Sequence, residues 1–441
     1  MREETQKLFQ FIENSPCAYL AICNVKKELD RSGYRELLEQ DEWNLESGKK
    51  YYVVRNDTSV IAFVMPEKNF KGFHIIASHC DAPSFKIKEN PEMKAEGYVK
   101  LNVEKYGGMI LSTWMDRCLS VAGRVFVRDG QKIRKLFVDV KRDLLLIPNL
   151  AIHMNRDMNK GVEYSVQKDM CPLLSKELSK QNMKQIVAEE LKKQMAKEIK
   201  PDDIISMDLF LYNRDKAKTF GAEEEFIAAP RLDDLQCVYA SLRAMTEAQD
   251  EQRSEKAGER GSDSSEVYCP VMAVFDNEEV GSSTMQGADS TFLSDVLIRM
   301  KESLNLTESM YRQKLAGSFM LSADNAHGVH PNHPEKADPT NKPVLNGGVV
   351  LKFQANQRYT TDGASAAYVK ELCERNQIPY QTYSNHSDIT GGSTLGNIAT
   401  RHLSIPAADI GNAQLAMHSA YETAGEKDFG HMMRLMEAFY N

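Results

Sequence analysis

The stretch of sequence that most constrains the fold runs from Val271 to Gly281 and reads VMAVFDNEEVG. Its first five residues are all apolar, and a run of this length predicts a strand buried on both faces of a sheet. Four polar residues follow, among them the adjacent carboxylates of Glu278 and Glu279. Two like charges at the end of a buried strand are costly unless cations meet them. The stretch therefore predicts either a solvated acidic loop or a metal site in which one carboxylate binds an ion and its neighbour moves protons.

Further potential ligands follow other predicted strands in the same way. They are His79, Asp324 and His418. Asp81 lies two residues after His79, and a ligating imidazole usually needs a carboxylate to fix its tautomer. The carboxyl ends of parallel strands meet at one edge of a sheet, where such folds bind their ligands. Two histidines and several carboxylates arriving there favour a pair of Zn²⁺-like ions over the solvated loop.

The order of elements predicts an α/β protein with a largely parallel sheet, because strands alternate with helical patterns. A chain of 441 residues is expected to form two or more domains. Between residues 89 and 225 the pattern changes to short β-like segments and a Lys/Glu-rich helix predicted over 182–199. We therefore predict a second, β-rich domain at 89–225, inserted into a first domain made of residues 1–88 and 226–441.

Charge and cysteine usage exclude several classes of protein. The net charge is −8 and no basic block stands out, which argues against nucleic-acid binding. No segment reaches the roughly 18 apolar residues that a membrane span needs. The eight cysteines include no CxxC pair, and the amino terminus is charged where a signal peptide would be apolar. The expected compartment is the cytoplasm.

Three local predictions concern helices and a loop. Ser15 and Pro16 suit the N-cap and first position of a helix that Gly33 ends. A single helix is predicted over 289–308. The polar, Gly/Ser-containing segment at 248–267 predicts a flexible surface insertion.

A series of motifs in one order carries a resemblance to a known family. The motifs are SHCDAP, YGGMILSTWMDRCLSVAGR, PRLDDL, DNEEVGS, SADNAHGVHPNH, LKFQANQRY, SDITGGSTLG and QLAMHS. Together they resemble the M18 metallo-aminopeptidases, the aspartyl aminopeptidase family, from the first helix to the last loop. The resemblance implies a phosphorylase/hydrolase-like catalytic domain with an inserted β-rich oligomerisation domain. It also implies dimers that assemble into a tetrahedral homododecamer.

The resemblance also implies the metal ligands and the catalytic base. Matched by position, the ligands are His79, Asp233, Glu279, Asp324 and His418. His79 and Asp324 would hold one ion, Glu279 and His418 the other, and Asp233 would bridge them. From the residues alone, Asp233 and Asp234 are equally consistent with the N-cap of a helix. Glu278 matches the general base, and the Asp233–Asp234 peptide bond is expected to be cis.

Four further residues match supporting or substrate-binding positions. Asp81 would orient His79, and His153 of the inserted domain would reach the active site of a neighbouring subunit. Lys352 matches the position at which aspartyl-preferring members place a lysine for an acidic first residue. Tyr359 ends the LKFQANQRY motif in the same substrate-binding block.

The expected function is removal of amino-terminal residues, with acidic preference, from peptides that have a free amino terminus. The expected cofactors are two divalent ions, Zn²⁺ first, with Co²⁺ or Mn²⁺ as alternatives. Two other functions stay open at this point. One is a non-catalytic cage that keeps the same fold, and the other is an aminoacylase-type amidohydrolase on a similar two-metal site.

Overall fold

The structure is a computed structural model that describes residues 2–179, 181–195, 198–255 and 267–441. Its helices are α1 (Arg2–Asn14), α2 (Ala18–Arg31), α3 (Val166–Asp169), α4 (Met183–Met195), α5 (Leu232–Glu255), α6 (Phe292–Ser303), α7 (Glu308–Ala316), α8 (Gly363–Arg375), α9 (Leu395–Leu403) and α10 (Glu426–Tyr440). Its strands are β1 (Arg35–Leu37), β2 (Lys50–Arg55), β3 (Ser59–Val64), β4 (Phe73–His79), β5 (Ser84–Ala95), β6 (Tyr98–Tyr106), β7 (Leu119–Asp129), β8 (Lys132–Asp139), β9 (Leu173–Lys176), β10 (Ile204–Asn213), β11 (Lys218–Phe220), β12 (Phe226–Ala229), β13 (Cys269–Phe275), β14 (Phe319–Ala323), β15 (Ala326–His327), β16 (Val349–Phe353), β17 (Tyr380–Ser384), β18 (Ala407–Gly411), β19 (Ala413–Leu415) and β20 (Glu422–Gly425).

A nine-stranded sheet in the order β1-β2-β3-β13-β4-β14-β18-β16-β17 organises the molecule. Its central strands β13, β4, β14 and β18 run parallel to one another. Antiparallel pairing occurs between β2 and β3, β3 and β13, and β16 and β18. The predicted α/β class with a mostly parallel sheet is therefore confirmed.

Both faces of this sheet are covered, which explains why its central strands are mostly apolar. Every residue of β4 and β13 is buried. One face packs against α1, α2, α5, α8 and α10, and the other packs against α6, α7 and α9. Because neither face of these strands meets water, a polar side chain within them needs a buried partner, as Asp409 of β18 has in Ser322 and Thr394.

A second sheet has six strands in the order β8-β7-β10-β5-β6-β9. Its strands lie between Ser84 and Asn213 and pair antiparallel. This sheet and α4 enclose a hydrophobic cluster around Leu119, Val138 and Leu191. A third, five-stranded sheet has the order β11-β12-β20-β19-β15. The division into an inserted domain at 89–225 and a surrounding domain stays a prediction.

The prediction that Ser15 and Pro16 begin the second helix is wrong. The helix α2 begins at Ala18, and Cys17 occupies the N-cap. The carbonyl oxygen of Cys17 accepts hydrogen bonds from two residues of the first turn. The hydroxyl of Ser15 instead accepts a hydrogen bond from the side chain of Asn24, at 3.1 Å, so it is not used to cap the helix.

The single helix predicted over 289–308 is also wrong, because two helices occupy this region. The first, α6, ends at Ser303, and α7 begins at Glu308. The Thr307 hydroxyl accepts a hydrogen bond from the backbone N–H of Met310 and so starts a new helix. A capping residue inside an apolar periodicity therefore marks the break that the periodicity alone does not show.

The polar segment predicted as a loop at 248–267 is partly helical. Its first residues continue α5 as far as Glu255. Gln, Glu, Arg and Ala favour helices, so a packed helix extends into a polar sequence without needing apolar residues there. Residues 256–266 lie outside the described part of the chain. Among the described residues, no helix is long and apolar enough to cross a membrane.

Candidate metal centre

The carboxyl ends of the central strands bring the predicted ligands to one place. His79 is the last residue of β4, and it is paired in register with Phe275 at the end of β13. Glu278 and Glu279 follow in a short 3₁₀ helix. Asp324 comes directly after β14, and His418 lies in the loop between β19 and β20. The edge of the sheet therefore collects side chains that are far apart in sequence.

Two groups of potential ligands form at this edge, and they share Asp233. The first consists of His79, Asp233 and Asp324, and the second consists of Asp233, Glu279 and His418. Within each group, one ligand atom per residue lies within 4.8 Å of the others. This grouping is the one that the resemblance implies.

The distances in the first group are those between neighbours around a small cation. Nε2 of His79 lies 3.5 Å from Oδ1 of Asp233 and 3.9 Å from Oδ1 of Asp324. Tetrahedral Zn²⁺ with ligand bonds of about 2.1 Å separates its ligand atoms by roughly 3.4 Å. The first group therefore fits a cation with nitrogen and oxygen ligands.

The second group has similar dimensions. Nε2 of His418 lies 3.3 Å from Oδ2 of Asp233 and 3.4 Å from Oε1 of Glu279. Asp233 thus directs one carboxylate oxygen at each imidazole. A carboxylate placed in this way can bind two ions at once.

Asp81 connects the first histidine to the acidic segment. Nδ1 of His79 lies 3.1 Å from the carbonyl oxygen of Asp81 and 3.4 Å from its Oδ1. If Nδ1 carries the proton and directs it at these oxygens, Nε2 has no proton, and its lone pair is available for a metal ion on the side of Asp233. The backbone N–H groups of Glu278 and Glu279 each donate to the Asp81 carboxylate, at 3.1 Å. Asp81 therefore fixes the ring of His79 and the backbone that carries both glutamates.

Two buried oxygens in the cluster provide a test of whether a cation fits. Oδ1 of Asp233 and Oε1 of Glu279 are buried and accept no hydrogen bond from the described residues. A buried carboxylate oxygen without a donor costs about 1–3 kcal/mol or more. A divalent cation would satisfy both atoms, and His, Asp and Glu are ordinary Zn²⁺ ligands. The residues present therefore fit a metal centre.

The pKa values of the acid groups are shifted as expected for buried carboxylates that lie close together. Burial, with a contribution from the Asp324 carboxylate, raises the pKa of Glu278 to about 8. Burial and the nearby Asp233 raise the pKa of Glu279 well above its usual value. Burial opposes ionisation of Asp233, but its contacts with His418 and His79 outweigh burial and lower its pKa. Divalent cations would relieve this repulsion.

Lys352 and Tyr359 lie beside the cluster. Nζ of Lys352 donates to the carbonyl oxygens of Asp324 and Asn325, at 2.8 and 3.3 Å, and lies 3.5 Å from Oδ2 of Asp324. The ring of Tyr359 is centred 5.3 Å from Nζ. Burial lowers the pKa of Lys352, but the Asp324 charge raises it above its ordinary value. Lys352 is therefore a buried cation next to a candidate ligand.

His153 is the one predicted site residue that does not join the cluster. It is exposed in the irregular segment between β8 and β9. Its expected contact is with another subunit, and its exposure on the surface of the chain allows such a contact.

Three residues beside the centre were not among the predicted site residues. Glu422 accepts hydrogen bonds from the backbone N–H groups of Asp233 and His418, at 3.1 and 2.7 Å. Asp234 accepts one from the backbone N–H of His79, at 3.3 Å. The Asp233–Asp234 peptide bond is cis, as expected. The sequence contains a signal for Glu422, because this acid lies four residues after the proposed ligand His418.

Tyr106 is the third such residue, and it comes from the six-stranded sheet. Its hydroxyl donates to Oδ2 of Asp81, at 2.7 Å, and accepts from the side chain of Asn277, at 2.9 Å. No local sequence signal marks it, because a tyrosine at the end of a strand is common in any sheet.

Comparison with known proteins identifies the family. The sequence model of "Aminopeptidase I zinc metalloprotease (M18)" matches residues 11–440. A relative from Clostridium novyi, named "Probable M18 family aminopeptidase 2", is 43% identical over 441 residues, covering 99% of this chain and 98% of the relative. A protein with the same name from Pseudomonas aeruginosa is 36% identical and covers 100% of this chain and 99% of its own length.

Solved structures of related proteins have the same fold. The structure described as the Ape4 and Nbr1 complex matches with a TM-score of 0.91 at 35% identity, covering 99% of this chain and 85% of that one. The mApe1 dodecamer from Saccharomyces cerevisiae matches with a TM-score of 0.82 at 28% identity, covering 99% and 95% of the two chains. The chain belongs to the M18 family of zinc metalloproteases, and it is a metal-dependent aminopeptidase.

Proposed function

We propose that this aminopeptidase uses two metal ions to remove amino-terminal residues, with a preference for acidic ones, from peptides. The observation that carries the two-metal proposal is the position of Asp233. Its two oxygens face Nε2 of His79 and Nε2 of His418, at 3.5 and 3.3 Å. A carboxylate that served one ion would have no reason to face both imidazoles. In this proposal His79 and Asp324 complete one site, and Glu279 and His418 complete the other.

Glu278 is the proposed general base. When bound, two divalent ions would act as Lewis acids that activate a water and polarise the peptide carbonyl. Glu278 takes a proton from the attacking water and returns it to the leaving amine. Its side chain suits this role because it accepts no hydrogen bond from the described residues, while Asp81 holds its backbone N–H. Burial raises the pKa of Glu278 to about 8, and nearby divalent ions would lower it, so that the carboxylate is ionised and can accept a proton near neutral pH.

The restriction to amino termini follows from the excess of carboxylates. The free α-amino group of a peptide is a cation or a metal ligand, and a site with several buried acids favours it. An N-acylated substrate lacks that group and would bind less well. This difference separates an aminopeptidase from an aminoacylase-type amidohydrolase, which requires the acyl group.

The proposed acidic preference rests on Lys352 and Tyr359. A carboxylate side chain needs a cation shielded from water, because exposed ion pairs contribute only about 0–1 kcal/mol. Lys352 is 2% exposed, and its charge is held next to the candidate centre by Asp324. Tyr359 covers it with an aromatic ring.

We further propose that the chain works as a homo-oligomer, of the dodecameric kind that the S. cerevisiae relative forms. In this proposal, residues 89–225 form an inserted domain in which the segment with His153 reaches the centre of a neighbouring subunit. Exposed apolar side chains flank His153, namely Leu150, Ile152 and Met154. Diluted or interface-broken protein should then lose activity while it remains folded, and a fully active monomer would refute the proposal.

The metal and the compartment remain predictions from the sequence. Zn²⁺ is the proposed ion, with Co²⁺ or Mn²⁺ as alternatives, and the cytoplasm is the proposed compartment. All eight cysteines are free thiols, as a reducing compartment would keep them. A non-catalytic cage is disfavoured, because a scaffold has no use for Glu278 beside two ion sites.

Hydrolysis assays with and without a chelator test the proposed activity. The metal-loaded protein should cleave Leu- and Asp-p-nitroanilide, fail on the N-acetylated forms of both, and lose activity with a chelator. Metal analysis should return two ions per chain. Cleavage of the acetylated substrates would favour the amidohydrolase, and no cleavage of any substrate by fully loaded oligomer would favour the cage.

A further inference from the structure

A cavity of about 250 Å³ lies between two loops near the candidate centre. One loop runs from β15 to β16 and the other follows β17. The cavity is lined by four histidines, two lysines and no acidic residue, namely His327, His330, His333, His386, Lys336 and Lys342. We call these six residues and the cavity between them the basic cleft. A lining with six basic side chains and no acidic one is unexpected in a chain whose net charge is −8.

The two lysines of the basic cleft have no carboxylate partner within 4.0 Å in the part of the chain that the structure describes. Two acids lie beside lining histidines. Oε1 of Glu335 lies 3.4 Å from His333, and Oδ2 of Asp388 lies 4.0 Å from His386. Both acids lie outside the lining. The two lysines therefore line the cavity without a carboxylate in ion-pair contact.

Two of the histidines offer a donor. Nδ1 of His330 accepts the backbone N–H of Asn332, at 3.2 Å, and Nδ1 of His386 accepts that of Asp388, at 3.2 Å. An Nδ1 that accepts a hydrogen bond carries no proton, so the proton of each neutral ring is on Nε2. Both rings therefore present an N–H group. A carboxylate can accept a hydrogen bond from this group, whereas a cation cannot.

The walls of the basic cleft are held in place by the backbone. Ala337 pairs with Asn385 in an isolated β-bridge that joins the two loops. The N–H of Val329 donates to the carbonyl oxygen of Pro343, at 2.8 Å, and closes the first loop at its base. Arg358 holds the second loop through the carbonyl oxygen of Gly391, at 2.6 Å. A cleft held in this way loses little conformational entropy when it binds a ligand.

The basic cleft begins at the candidate metal centre. His327 lies three residues after Asp324, and its ring is centred 6.0 Å from that of Tyr383, which also lines the cleft. The ring of Tyr383 is centred 6.3 Å from that of Tyr359, which in turn covers Lys352. The two tyrosines therefore connect the basic cleft with the centre while Lys352 stays outside the cleft lining.

We propose that the basic cleft binds a carboxylate of the peptide substrate that lies beyond its first residue. The carboxylate is either an acidic side chain or the terminal carboxylate of a short peptide. This inference rests on the proposed function, because an aminopeptidase holds only one residue on the amino side of the cleaved bond. The rest of the peptide must extend away from the centre, and the basic cleft offers it donors and unpaired cations.

The test compares peptides that share a first residue and differ in one carboxylate. One pair is Leu-Ala-Ala with a free or an amidated carboxyl terminus, and the other is Leu-Asp-Ala-amide against Leu-Asn-Ala-amide. The metal-loaded full chain is assayed as wild type, as the double variant K336Q/K342Q and as K192Q. Lys192 is an exposed lysine on α4 and serves as the matched control for lost charge.

The wild type and K192Q should have a kcat/KM about two- to fivefold higher for the carboxylate member of at least one pair, the range expected of ion pairs open to solvent. K336Q/K342Q should reduce this ratio to near one. The pair that responds identifies the source as a side chain or a carboxyl terminus.

Three outcomes would overturn the inference. They are no preference for the carboxylate member in wild type, an unchanged ratio in the double variant, and an equal loss for all peptides. A selective loss of Asp-p-nitroanilide relative to Leu-p-nitroanilide hydrolysis in the double variant would assign the carboxylate to the first residue instead. Failure of the proposed function is distinct, since wild type would then cleave neither p-nitroanilide.

Discussion

The ammonium group of Lys352 contacts Asp324 twice, through the carbonyl oxygen at 2.8 Å and through Oδ2 at 3.5 Å. Asp324 is a proposed ligand whose Oδ1 faces His79. Lys352 therefore bears on two properties of the site. It provides a buried positive charge for an acidic substrate, and it sets the orientation of a proposed ligand.

Replacing Lys352 by Leu should lower kcat/KM for every substrate and should affect acidic ones most. Removing one partner of a buried charge pair costs about 2–5 kcal/mol. All substrates lose the positioning of Asp324, whereas Asp and Glu substrates also lose their own partner. The measurement is kcat/KM for Asp, Glu, Leu and Ala p-nitroanilides, with metal content determined in parallel. An equal loss across all four would show that Lys352 positions Asp324 without selecting the substrate.

The two adjacent glutamates should respond differently to the same substitution. Glu278→Gln should keep both ions and lower kcat by about 10²- to 10⁴-fold, the usual contribution of a general base. Glu279→Gln should instead lose one ion, because Glu279 contacts His418 in the second group. Metal analysis and kcat on the same preparations check both results. Near-normal turnover of fully loaded Glu278→Gln would contradict its role as base.

Removal of metal should lower stability as well as activity. Oδ1 of Asp233 and Oε1 of Glu279 accept no hydrogen bond from the described residues, and several carboxylates lie close together. Both features destabilise the folded protein when no metal is bound. A ligand that binds only the folded state stabilises it by about 2.7 kcal/mol at one hundred times its Kd. Thermal unfolding with a chelator should therefore give a lower Tm than the Zn²⁺-loaded protein. An unchanged Tm with confirmed metal loss would count against metal ligation by these buried groups.

Tyr106→Phe tests whether the six-stranded sheet positions the metal centre. The substitution keeps the ring and removes the hydroxyl that donates to Asp81. Loss of a direct outer partner of a ligating histidine typically costs about 10- to 100-fold in metal affinity or activity. Tyr106 acts through that partner, Asp81, so a smaller loss is expected. Metal titration is the readout, because a purely structural residue would lower Tm without changing affinity. Tyr98→Phe, at the exposed start of the same strand, is the matched control.

The acid stability of the apo protein should depend on His74. Burial lowers its pKa from 6.5 to about 4, although Nδ1 lies 2.6 Å from the carbonyl oxygen of Phe439. As pH falls, His74 is protonated in the unfolded state before it is protonated in the folded state. Its contribution to the free energy of unfolding is therefore fully present above pH 6.5 and is lost between pH 6.5 and about 4. The slope in that window is up to about 1.4 kcal/mol per pH unit.

His74→Phe should remove that slope. Denaturant unfolding of chelated protein at several pH values measures it without the effect of metal release. The control is His153→Asn, at an exposed histidine, which is expected to follow the wild type. A His74→Phe curve parallel to the wild type across this range would show that another group causes the acid sensitivity.

The sequence by itself determined the position of several candidate ligands. Largely apolar runs such as 73–77 and 271–275 specify strands buried on both faces, and the polar ligands then follow at the strand ends. Parallel strands end at the same edge, so His79, Glu279 and Asp324 had to converge. The order of motifs then identified the family, because these residues keep a fixed sequence context.

Other features were decided only by the tertiary structure. Asp233, which from the residues alone was equally consistent with a helix cap, faces both imidazoles because the fold brings α5 against the end of β4. Glu422 and Tyr106 reach the centre from different sheets, at sequence separations that no local pattern encodes. Local periodicity records which face of an element is buried, but it does not record which distant elements pack together. Hydrogen bonds between such elements therefore appear only when the whole chain is folded.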